Sequence, residues 1–195
     1  MVGLKLTALG FLVFAVFVLE VVAVFTPAWF TWQEVSRSGI VSVYNKGIVP
    51  YYSNEDTWLA VSSILLFASL ALTTINVFLF IGAYFSVKSQ GYSRQVIVLL
   101  HALAISSVAV IVFNGTAFIL MATNINKQYL LLSFGYPVQF GYSAWFCLSA
   151  VVVTFGSVLL AEYIVSKKEE EKEDEAPVES AVPPRILTSS FTNMY

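Results

Sequence analysis

Residues 58–87 read WLAVSSILLFASLALTTINVFLFIGAYFSV, with no charged residue between Asp56 and Lys88. A helix needs about 20 mainly apolar residues to cross a hydrocarbon core, so this stretch is long enough to span a bilayer. Working outward, residues 6–26 form a second apolar run, broken only by Glu20 and stopped at Pro27. A third, residues 95–122, lies between Arg94 and Lys127, with His101 and Asn114 as its strongest polar residues. No charge falls between Lys127 and Glu162, but Gly135-Tyr136-Pro137 breaks that run, because proline lacks a backbone donor and disfavours helix in the residue before it. A fourth helix is therefore expected over residues 141–165. The first run is longer than the 7–15 residues or so of a signal-peptide core and has no small-x-small cleavage site, so it reads as a span.

Composition agrees with four crossings. Of the 195 residues, 58% are hydrophobic and 11% charged, with a mean hydropathy of +0.79, whereas a soluble domain carries about 25% charged residues. Four spans leave no room for a separate catalytic domain. The net charge of -2 argues against nucleic acid as a partner, since such proteins carry a basic excess. Cys147 is the only cysteine and His101 the only histidine, which removes intrachain disulfides, CxxC zinc sites and most histidine-based catalysis. No cofactor, no metal and no enzymatic activity are expected.

Lys and Arg are retained on cytoplasmic flanks. With both termini inside, the cytoplasmic side holds Lys5, Lys88, Arg94, Lys167, Lys168, Lys172 and Arg185, against Arg37, Lys46 and Lys127 outside. The expected protein is a multi-pass component of the plasma membrane with both termini cytoplasmic. Residues 1–166 form the four-helix membrane domain, with extracellular loops at residues 27–57 and 123–140. Residues 167–195 form an acidic tail too poor in apolar residues to build a core, expected to be disordered beyond its first turn or two.

The first loop is rich in aromatic and β-branched residues, which favour strands. Residues 29–35, 40–44 and 48–52 read as three short strands, separated by Ser36-Arg37-Ser38-Gly39 and Asn45-Lys46-Gly47, which suit tight turns needing positive φ. Pro50 marks the last strand as an edge. The second loop, with Phe134 and Tyr136, is strongly apolar for a segment outside the membrane. It reads either as an extension of helix three plus a strand docked on the first-loop sheet, or as a patch that binds another protein, and the two hold together if they use different faces.

Glu20 is the residue most in need of explanation, since a charged side chain in a lipid-facing helix costs roughly 2.5–3.5 kcal/mol. It is expected to face the bundle interior. Helices one and three both rise outward, so Glu20 and Asn114 fall within one or two turns of the same depth, and Asn76 on helix two approaches this level. A carboxyl tying helices together by hydrogen bonds accounts for it. An ion or proton relay would need further acids, and Glu162 alone lies in the spans. His101 sits too near the cytoplasmic end to pair with Glu20, and the sequon Asn114-Gly115-Thr116 lies within a span. Small residues including Ser107, Gly115, Ala150, Gly156 and Ser157 permit close helix approach. The terminal Phe191-Thr192-Asn193-Met194-Tyr195 suits capture by a cytoplasmic scaffold of the PDZ type.

With four spans, inside termini, a strand-rich first loop and a short second one, the chain resembles the claudin superfamily, including the peripheral myelin protein and epithelial membrane protein group. Pro27-Ala28-Trp29 is similar to the family's Pro-x-Trp, Gly39-Ile40-Val41 with Ser42 to its Gly-Leu-Trp region, and Phe140-Gly141-Tyr142-Ser143-Ala144-Trp145 to its start of helix four. Three departures stand out, one of them a first loop shorter than the family's usual one. Val41 occupies the place of the family's tryptophan, and the pair of first-loop cysteines is absent, as in a divergent invertebrate claudin-like member. A disulfide of that kind contributes roughly 2–4 kcal/mol, so aromatic packing is expected to hold the sheet instead.

The expected fold is thus an all-α membrane protein, a left-handed bundle of four transmembrane helices with a small extracellular antiparallel β-sheet. The resemblance implies a non-enzymatic role in cell–cell contact or junction organisation, with the chain associating laterally or in trans with itself, or with another membrane protein. Trp29, Trp32, Gly39, Ile40, Val41, Tyr44, Tyr51, Tyr52, Phe134 and Tyr136 are the expected contact residues, and Glu20, Asn76 and Asn114 the intramembrane polar set. The alternatives are an auxiliary subunit controlling a channel or receptor, and a small transporter using Glu20.

Overall fold

The computed structural model describes residues 2–35, 39, 41–49, 56–132 and 138–175. Its elements run α1 (Val2–Phe25), β1 (Phe30–Val35), β2 (Val41–Lys46), α2 (Thr57–Gln90), α3 (Arg94–Leu132), β3 (Gln139–Phe140) and α4 (Tyr142–Glu175). All four helices contain windows long and apolar enough to cross a membrane, and the protein is a four-pass membrane bundle. The helices form a ring in chain order, closed by α4 against α1.

Each helix stops for a local reason. Pro27 follows α1, whose last turn is finished by Thr26, with its amide 3.1 Å and its hydroxyl 2.5 Å from the Val22 carbonyl. Gly91 ends α2 at φ 71°, a left-handed conformation that glycine adopts without steric cost. Its amide returns to the Val87 carbonyl at 3.0 Å, leaving a three-residue turn before α3.

Two helices overrun the ends read from hydropathy. The third span covers Arg94–Ile125, yet α3 continues to Leu132, and the fourth span covers Tyr142–Lys168, yet α4 continues to Glu175. Hydropathy marks where lipid ends, whereas a helix continues until glycine or proline stops it. No glycine or proline occurs between 123 and 132, and the charged run after Lys167 consists mainly of good helix formers.

The sheet differs from the expected meander in its third strand. Its order is β2-β1-β3, antiparallel throughout, so the third strand comes from the segment preceding α4. Ile48 turns inward and is fully buried, Val49 lies outside any strand, and residues 50–52 lie outside the described residues. Aromatic burial explains the exchange: Phe140 lies opposite Phe30 in the register and stacks on both Phe30 and Phe118, at 6.2 and 5.3 Å.

The bundle interior is layered. At the sheet end, Val24, Trp29, Phe30, Ile48, Leu66, Met121 and Cys147 belong to one apolar cluster. At the opposite end, Leu6, Leu9, Val96, Leu100, Leu103 and Ile164 belong to another. Between them lies a layer containing buried Glu20, Ser69, Thr73, Asn76, Ser107, Asn114, Thr154 and Ser157.

Candidate functional site

Two features merit a functional reading, the sheet surface and the polar layer. In the sheet, β1 and β2 pair over six rows from Phe30↔Lys46 to Val35↔Val41. Residues two apart share a face, so Phe30 and Trp32 lie on one side with partners Lys46 and Tyr44. Phe30 is fully buried and meets Trp58 edge-on at 6.2 Å. One row further out, half-buried Trp32 stacks on its direct partner Tyr44 at 5.7 Å and 16°. On the other face, the Thr31 hydroxyl donates to Asn45 Oδ1 at 2.9 Å.

The sheet is fastened to the bundle by a polar corner at the start of α4. Gly141 N donates to Trp29 O at 3.0 Å and Ser143 N to Ala28 O at 3.1 Å. Ser143 Oγ accepts from Ala28 N at 3.2 Å and bonds Thr26 Oγ1 at 2.7 Å. A Cβ at Gly141 would collide with the Ala28 carbonyl, so only glycine lets the two backbones approach. Trp29 adds an indole bond to Ala23 O at 2.7 Å from a fully buried position. Together these bonds hold the first loop against the end of α1 and the start of α4.

The expected contact residues therefore divide. Trp29 is in the core with no surface to offer a partner, a correction to its expected role, because its indole finds its hydrogen-bond acceptor on α1. Val41, Val43 and Tyr44 stand out on β2, at 55%, 57% and 44% exposure. Gly39, at φ 78°, is exposed beside them. Ile40, Tyr51, Tyr52, Phe134 and Tyr136 lie outside the described residues.

In the polar layer, Asn114 Nδ2 donates to Glu20 Oε1 at 2.6 Å, Ser69 Oγ to the same oxygen at 2.9 Å, and Thr73 Oγ1 to Oε2 at 2.9 Å. The carboxyl thus binds α1 to both α2 and α3, and the Glu20–Asn114 bond crosses the ring's diagonal. Asn76 stays outside this group: it donates to Ser107 Oγ at 3.1 Å and accepts from Ser106 Oγ. His101 Nδ1 lies 3.4 Å from Glu162 Oε1, near the end opposite the sheet.

Sequence reasoning placed Glu20 and Asn114 together but missed Ser69 and Thr73. Their signal was present: Ser62, Ser69, Thr73 and Asn76 recur at spacings of seven, four and three in α2, a polar stripe on one helix face. Thr26 and Ser143, separated by 117 positions, left no comparable trace. Among the described residues no group of His, Cys, Asp or Glu is arranged to hold a metal ion.

A family model described as tight junction protein, claudin-like, matches residues 1–175. No curated protein matches the chain.

Proposed function

The chain belongs to the claudin-like family of tight junction proteins, and from that membership we propose that it organises cell–cell contacts through the sheet that caps its bundle. The observation carrying this reading is β2, an outer strand of the sheet that carries the Trp32–Tyr44 stack on one face and exposed Val41 and Val43 on the other. Aromatic anchors supply much of the energy in protein contacts, and outward apolar residues on an outer strand favour pairing with another chain. The sheet lies outside the cell and both termini inside, an orientation supported by the excess of Lys and Arg on the termini side. The partner is a second copy, in the same membrane or the opposing one, or another membrane protein, and the C-terminal segment offers a cytoplasmic scaffold a docking point.

A transport role loses support from the layering of the interior, since the polar layer around Glu20 has an apolar cluster on either side. Enzymatic activity has no support in a family of structural proteins.

The test mixes cells expressing tagged full-length protein with cells lacking it. Enrichment only where two expressing cells touch supports the reading, and Trp32→Ala with Tyr44→Ala should abolish it while surface delivery continues. Enrichment that survives the double variant overturns the assigned surface. Stoichiometric co-purification of a channel or receptor, without enrichment at contacts, favours the auxiliary-subunit alternative.

A further inference from the structure

Below the Glu20 cluster, α2, α3 and α4 turn five polar side chains, Thr73, Asn76, Ser107, Thr154 and Ser157, toward one small cavity, with Val13 and Val16 of α1 completing its wall. Its free space matches about one water molecule. Such a space lined by leucine or phenylalanine stays dry, whereas a bound water needs two to four or so polar partners.

Proton bookkeeping around the cavity identifies the partners. Thr154 gives its hydroxyl proton to Ala150 O at 2.7 Å and Ser157 gives its own to Thr154 O at 2.7 Å, leaving both oxygens as acceptors. Ser107 Oγ accepts from Asn76 Nδ2, and its own proton has no acceptor among the described residues. One donor and two acceptors therefore face a space of one water's size. In the same layer Asn114 Oδ1 is buried with no protein partner among the described residues, so the layer's capacity for hydrogen bonds exceeds what side chains satisfy.

We propose that this cavity is a binding site for a single water molecule, which accepts from Ser107 Oγ and donates to Thr154 Oγ1 and Ser157 Oγ. Three hydrogen bonds are the usual number for a buried water. A metal cation fits less well, because no carboxylate lines the cavity and both Glu20 oxygens already accept from Ser69, Thr73 and Asn114. Within this polar layer the water ties α4 to α3. Without it, Thr154 and Ser157 bond only their own helix, while Glu20 and Asn76 already join α1, α2 and α3.

The test is a structure of the full chain in lipid at a resolution that reveals ordered water, collected in sodium and again in rubidium. A peak within hydrogen-bond distance of Ser107, Thr154 and Ser157 in both salts, without anomalous signal from rubidium, supports the site. Anomalous signal there identifies a cation and overturns the proposal. An empty cavity, with Ser107 bonded to its own helix, also overturns it. Ser107→Val should remove the peak and leave the Glu20–Asn114 bond in place, with Ser157→Ala as the second variant should the first not fold. A peak unchanged in both variants overturns the assigned ligands.

Discussion

Asn114 and Glu20 are separated by 94 positions and stand on opposite corners of the helix ring, yet the amide nitrogen of one lies 2.6 Å from a carboxyl oxygen of the other. In a bilayer, where helix association gains nothing from expelling water, such bonds and close packing select one arrangement of the helices over others. The Glu20 carboxyl is the hub of that selection, since three donors from two other helices converge on it.

Glu20→Ala is expected to destabilise the bundle by about 1–3 kcal/mol, because Ser69 and Asn114 would lose the acceptor for their buried donors, while Thr73 keeps the Ser69 carbonyl at 3.0 Å. Glu20→Gln preserves the volume and one acceptor oxygen and should cost less. Thermal unfolding of the purified protein in detergent compares the two, and equal losses would contradict the role assigned to the second oxygen.

Trp29→Phe keeps most of the ring volume but removes the bond to Ala23 O, with an expected loss of about 1 kcal/mol. Trp29→Ala empties a fully buried site and should cost about 3–5 kcal/mol, enough to retain the protein inside the cell. Surface biotinylation distinguishes this from Trp32→Ala, where the stacked pair with Tyr44 is worth about 0.5–1.5 kcal/mol beyond its buried area and delivery should continue.

Gly141→Ala pushes a methyl group into the Ala28 carbonyl and should cost about 1–3 kcal/mol. The loss should be local. Hydrogen exchange is expected to quicken at the amides of residues 141 and 143, which bond to Trp29 and Ala28, before it quickens in the helices. Uniform acceleration throughout the chain would contradict the corner's role as a separate fastening.

Burial raises the Tyr92 phenol above its ordinary value, and its buried hydroxyl has no partner among the described residues. Because burial penalises the phenolate, the folded state loses stability as pH rises from the unfolded pKa of about 10 through the raised folded value. Tyr92→Phe removes the unpaired hydroxyl, so the variant should match or exceed the parent in stability at neutral pH and lose less in alkali. Unfolding midpoints of both proteins measured from neutral to alkaline pH test this, and a less stable variant would refute it.

The spans were legible because four apolar runs stand between sparse charges, and Glu20 was legible as an interior residue because lipid penalises its exposure. The end of α4 was not, since hydropathy records lipid and not hydrogen bonding, whereas the reading of the second loop as an extension of helix three followed by a docked strand agrees with α3 reaching Leu132 and with β3. The strand composition of 30–35 and 41–46 revealed a hairpin, but composition cannot rank Ile48 against Phe140 as supplier of the third strand. That choice depends on Phe118 and Phe30, distant in sequence and adjacent only after folding. The same limit hid Thr26 and Ser143. Trp29 looked like a contact residue because an aromatic after a span reads equally as surface or core.

The Thr26–Ser143 corner has a consequence for biogenesis. Translation delivers the hairpin early and its fastening late, so a nascent chain that has inserted α1, α2 and α3 still lacks β3, Gly141 and Ser143. Until they emerge from the ribosome, Trp29 and Phe30 have lost part of their cover, and folding factors or degradation enzymes in the translocating compartment have a window to engage them. Chains arrested before residue 138 should accordingly be captured by cross-linking to such factors, and release should coincide with insertion of α4.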